Sequence, residues 1–160
     1  MAYDEGPIKY CHFNEEWPGL LPSKEIDADW IYAVNPKNSK RKKPELVGKW
    51  TVYIKSLKDK TEEIDQKWEI ICQNIRNGYL ENCSAKVSTK AMAAVYKDGK
   101  YPYQRVVCVY TNAYRDEKER NLIRDKLREL GFTEPLCYKT DNETRADSYG
   151  HQSHLVCFVK

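Results

Sequence analysis

A chain of 160 residues, 41% of them apolar, can supply one hydrophobic core and is too short for two independent ones. Lys and Arg number 27 against 24 Asp and Glu, so the chain lacks the large basic excess typical of nonspecific duplex binding. No long apolar run opens it, which predicts neither a secretory leader nor a membrane partner; the expected location is cytoplasmic, with the nucleus as a second destination.

Residues 1–47 carry Pro7, Pro18, Pro22, Pro36 and Pro44 and include the basic run Lys40-Arg41-Lys42-Lys43. Proline at this density interrupts helices, so the segment is expected to be an irregular N-terminal arm. Phe13, Trp17, Leu20, Leu21, Trp30, Ile31 and Tyr32 make it too apolar for a solvated tail, and it is expected to pack across the domain. The basic run reads first as a solvated loop, with nuclear import or a phosphate contact as the alternatives.

From Gly48 the pattern becomes regular, and residues 48–160 are expected to form one α+β domain. Trp50, Val52 and Ile54 alternate with Thr51, Tyr53 and Lys55, which predicts a half-buried strand. Ile64, Trp68, Ile71 and Ile75 recur at helical spacing, and Asn77-Gly78 stops that helix. Ala85 and Val87 alternate with Lys86 and Ser88, and Arg105 to Thr111 is a second β-rich run. With the turn residues Lys97-Asp98-Gly99-Lys100 between them, these two strands are expected to form a long hairpin. A second helix opens at Asp116-Glu117, carries Leu122, Ile123, Leu127 and Leu130 toward the core, and ends at Gly131. Short strands follow at Leu136 to Lys139 and at Leu155 to Val159. This order predicts helices on one face of a largely antiparallel sheet.

Cys11, Cys72, Cys83, Cys108, Cys137 and Cys157 are scattered through apolar or periodic segments, the pattern of buried free thiols. His151-Gln-Ser-His154 is the nearest approach to a metal spacing, but structural zinc needs about four convergent ligands, so no metal and no cofactor is expected. The pairs Glu62-Glu63 and Asp116-Glu117 each open a predicted helix, where carboxylates favour the helix N-terminus rather than acid–base chemistry.

Strand parity supplies the candidate site. Lys49, Thr51, Tyr53 and Lys55 share the strand face opposite Trp50, Val52 and Ile54, so they should line the side of the sheet away from the helices. Lys86 and Ser88 join them from a neighbouring strand, together with Arg105 or Tyr110 as register dictates. Fixed positive charge among hydroxyl donors suits an anion such as phosphate, carried by a peptide or a nucleotide. The alternative is a solvated sheet face.

Gly48-Lys49-Trp50, Ala85-Lys86-Val87-Ser88, Val107-Cys108-Val109-Tyr110-Thr111 and Tyr138-Lys139-Thr140-Asp141 occur in that order, with a helix between the first two. Together these blocks resemble the basophilic-leukaemia-expressed (Bles) protein family over roughly residues 48–155. The resemblance implies the fold of the cap-binding translation initiation factor, a curved antiparallel sheet backed by helices. A more distant similarity is to phosphothreonine lyases, which eliminate phosphate from phosphothreonine using a lysine base and a histidine acid. It implies Lys86 as the base, Lys49 as the first phosphate-gripping lysine and Tyr110 as the tyrosine of the following strand. Two positions depart from that family: Thr51 stands in place of the acid histidine, and Gly150 follows Tyr149 where the lyases have arginine. Arg105 or Arg145 would have to supply the missing cation, and His151 or His154 the acid. Recognition of an RNA cap is a minor alternative, with Trp17 and Trp30 as the candidate stacking rings.

Overall fold

Alternation of apolar and polar residues builds the central strand β3 (Gly48–Lys55), whose Trp50, Val52 and Ile54 are each 1–2% exposed. The computed structural model describes residues 8–10, 20–35, 46–55, 62–80, 83–91, 104–140 and 156–158. Around β3 stand β1 (Ile8–Tyr10), β2 (Trp30–Ala33), β4 (Ser84–Ser88), β5 (Gln104–Thr111), β6 (Leu136–Thr140) and β7 (Val156–Phe158). Their order across the sheet is β1-β2-β4-β5-β3-β6-β7, with every neighbouring pair antiparallel except β1 and β2. The helices α1 (Glu62–Arg76) and α2 (Glu117–Glu129) pack on one face of this curved sheet, α1 against β3 and β4 and α2 against β5.

The expected helical faces carry most of the core. Ile64, Trp68, Ile71 and Ile75 of α1 are all buried, and the chain leaves α1 through Gly78 at φ +86°, a left-handed conformation that glycine adopts without a Cβ penalty. Asp116 caps α2 by accepting from the backbone N–H of Glu119 at 3.1 Å, so this acidic pair serves the helix end. Trp50 ties α2 to the sheet by donating from Nε1 to the Arg120 carbonyl at 3.0 Å, and its ring meets that of Tyr138 edge-on. Gly48 lies so close to Tyr138 that an added Cβ would overlap the hydroxyl end of the phenol ring. The glycine of the Gly48-Lys49-Trp50 block is therefore a packing requirement.

Two expectations are corrected. Leu122 does not face the core: it is 53% exposed, because the buried stripe of α2 runs through Ile123 and Leu127 and its neighbour lies about 100° around the helix. Nor is the segment 1–47 irregular throughout, since it supplies β1 and β2 to the sheet. Residues 23–35 hold no proline, and within them Ile31 and Ala33 alternate with Trp30 and Tyr32, which suffices for a strand beside β4. Ser23 further pins this segment to α1, donating from its backbone N–H and its hydroxyl to Asp65 at 3.0 and 2.5 Å. Trp17, the basic run 40–43, the turn at 97–100, Arg145 and all three histidines lie outside the described residues.

Candidate functional site

Side chains of directly paired residues point to the same side of a sheet, so the register assigns each candidate to a face. Lys49 pairs with Tyr110, Thr51 with Cys108, and Tyr53 with Val106 between β3 and β5. Lys86 pairs with Cys108 on β5 and with Tyr32 on β2, while Ser88 pairs with Trp30. All of these positions therefore share the face opposite the helices. Lys49, Thr51, Lys86, Ser88 and Tyr110 are brought together and are at most 8% exposed, whereas Tyr53 sits on the same face at 51% exposure.

Two lysines converge on one ring. Lys49 Nζ lies 5.6 Å from the centroid of Tyr110, and Lys86 Nζ lies 6.0 Å from the same centroid. Lys86 Nζ also stands 4.2 Å over the ring of Trp30 and 5.8 Å over that of Tyr32. A desolvated cation over an aromatic face gains about 2 kcal/mol, and Trp is the best partner. Three rings thus hold one buried ammonium in place, and Tyr110 links it to a second.

The hydroxyls around the lysines have sheet duties. Thr51 Oγ1 donates to the Cys137 carbonyl at 3.0 Å, so its proton is engaged inside the sheet. Ser88 Oγ accepts from the Val106 backbone N–H at 2.9 Å at the end of the β4–β5 ladder. Ser88 thereby fixes the register that brings Lys86 opposite Cys108.

Arg105 goes to the other face. Its partner is Ile54, on the helix side, where burial lowers the guanidinium from its ordinary value and the nearby Asp65 carboxylate of α1 opposes that shift. The correction follows from parity, since Arg105 and Tyr110 are an odd number of residues apart and a regular strand sends them to opposite sides. Lys55 ends β3 opposite Gln104, and Arg145 is not among the described residues.

Sequence reasoning missed Tyr32 and Lys139 as site residues. Tyr32 was hidden in the proline-rich segment, although its alternation with the buried Ile31 and Ala33 carried the signal. Lys139 pairs directly with Lys49 across β3 and β6 and so shares its face. Its signal was the burial pattern Leu136-Cys137-Tyr138, which turns Lys139 away from the core. Among the described residues, no group of three or more His, Cys, Asp or Glu could hold a metal ion, and no helix is long and apolar enough to cross a membrane.

Comparison with known proteins supplies a family and a fold. Residues 45–145 match the family model described as basophilic leukemia-expressed protein Bles03. Among curated proteins, none matches the chain. Of solved structures, Ascaris suum eIF4E-3 in complex with an m2,2,7G cap is similar at TM-score 0.53 and 15% identity, covering 81% of this chain and 68% of that one. C. elegans eIF4E-3 with the 4E-binding protein Mextli and a cap analog gives TM-score 0.52 at 16% identity, over 79% of this chain and 67% of that one. The same factor with Mextli gives 0.51 at 17% identity, over 79% and 68%. At these identities the likeness establishes the initiation-factor-4E-like fold.

Proposed function

This chain belongs to the basophilic leukemia-expressed Bles03 family, and we propose that it binds a phosphorylated ligand, a peptide or a nucleotide, on the sheet face opposite its helices. The observation that carries the reading is the sharing of the Tyr110 ring by Lys49 and Lys86, both 5% exposed. An anion placed between two ammonium groups that share one ring is attracted by both. Burial strengthens each attraction, because a water-poor environment screens charge less. Lysine suits the task as a point charge on phosphate. Trp30, Tyr32 and Lys139 are only half-buried and offer the approach from solvent.

A second reading, recognition of a nucleotide base or RNA cap beside the phosphate, draws on Trp30. This half-buried indole already carries the Lys86 ammonium over its face, which puts an aromatic surface within reach of a bound nucleotide. The lyase alternative finds less support. The three rings around Lys86 Nζ attract an ammonium, and a neutral amine acting as base would forgo those contacts. The hydroxyl of Thr51, at the position of the lyase acid, donates to a main-chain carbonyl.

The test is a calorimetric titration with a phosphothreonine peptide and a nucleoside monophosphate, each against its unphosphorylated counterpart. Preference for the phosphorylated form, lost by roughly ten-fold or more in Lys86→Ala, is expected from a charge-assisted contact of about 1.5–3 kcal/mol. Equal affinity for the two forms would refute the reading. Release of phosphate from the peptide would replace it with the lyase.

A further inference from the structure

The lysines of the site continue past Lys49. In the register, Lys139 of β6 stands directly opposite Lys49 of β3, which stands opposite Tyr110 of β5, with Lys86 one strand further on β4. Lys49, Lys86 and Lys139 therefore lie on one face of the sheet, and Lys55 at the end of β3 falls on the same side by register. Strand spacing of about 4.8 Å puts the backbones of Lys86 and Lys139 three strands, or roughly 14 Å, apart across the sheet. Lys86 and Lys49 are buried, whereas Lys139 is half-exposed, so the row runs from the interior of the face toward its rim.

We infer that the site takes an oligophosphate, a ligand with two or more linked phosphate groups, with Lys139 as the residue that selects it over a single phosphate. The inference rests on the reading that this face binds phosphate and specifies which class of phosphate it prefers. A phosphate monoester brings about −1.5 to −2 charges, which Lys49 and Lys86 already match around Tyr110. Lys139 adds a third cation on the rim side, where a second phosphate linked to the first would lie. Lys49 and Lys139 stand side by side in the register, so one anion can reach both, and a chain of phosphates extended across the strands does so while its inner end remains with Lys86.

The experiment is titration of the full chain with orthophosphate, pyrophosphate and tripolyphosphate at constant ionic strength, for the unmodified protein, Lys139→Gln and Lys118→Gln. Lys118 is exposed on α2, on the other side of the sheet, and controls for net charge. Pyrophosphate is expected to bind about ten-fold more tightly than orthophosphate. Lys139→Gln should remove most of that advantage while changing orthophosphate affinity less than about two-fold, and Lys118→Gln should change neither. Equal binding of orthophosphate and pyrophosphate, or an equal loss for both in Lys139→Gln, would overturn the inference and leave phosphate binding standing. If no phosphate binds, the functional reading fails with it.

Discussion

Replacing each of two buried tryptophans with alanine and with phenylalanine separates packing from hydrogen bonding in this core. Trp68 is fully buried beneath α1, and its Nε1 has no acceptor among the described residues. Trp50 is equally buried on β3, but its Nε1 donates to the Arg120 carbonyl. An indole that buries about 200 Å² is worth about 5 kcal/mol at roughly 25 cal/mol per Å². For Trp68 the unmet N–H offsets about 1–3 kcal/mol of this, and the cavity left by truncation adds some back. Trp68→Ala should therefore cost about 3–5 kcal/mol. The two Phe variants should differ: Trp68→Phe removes an unmet donor, while Trp50→Phe removes the indole bond to the Arg120 carbonyl, so Trp50→Phe should cost more by about 1 kcal/mol. Urea denaturation followed by far-ultraviolet circular dichroism measures all four. An unchanged midpoint for Trp68→Ala, or a larger cost for Trp68→Phe than for Trp50→Phe, would refute this account of the core.

Other substitutions probe the site's supports. Gly48→Ala should destabilise by about 1–3 kcal/mol through overpacking against Tyr138, and the loss should shrink in a Tyr138→Phe background, where the hydroxyl nearest the new methyl is gone. Asp116→Ala should cost about 0.5–2 kcal/mol by removing the α2 cap, read from the same denaturation midpoint. Arg105→Met should leave affinity for a phosphorylated ligand unchanged in calorimetry because Arg105 faces the helices, whereas Lys49→Ala should lower it several-fold.

The helix-facing half of the molecule was legible because its signals are local and periodic. Trp50, Val52 and Ile54 alternate, and Ile64, Trp68, Ile71 and Ile75 repeat at helical spacing; the core contains all seven. The other face depended on register, which no single strand contains. Parity could say that Arg105 and Tyr110 lie on opposite faces, but only the pairing of β3 with β5 decides which one joins Lys49. β2 was obscured because five prolines dominate residues 1–47, although the four-residue alternation from Trp30 to Ala33 was intact. With β2 went Tyr32 and the recognition that Trp30 lies over Lys86. Lys139 stands in the Tyr138-Lys139-Thr140-Asp141 block, but its importance comes from facing Lys49, a pairing between residues ninety positions apart.

The central claim is that Lys49 and Lys86 together hold the phosphate of a ligand, and a crystal structure with a phosphothreonine peptide or a nucleotide bound tests it most directly. The account predicts an intact phosphoryl group on the face opposite the helices, with its oxygens about 2.7–2.9 Å from both Nζ atoms. A phosphate on the helix side, or one on this face that touches neither lysine, would contradict it.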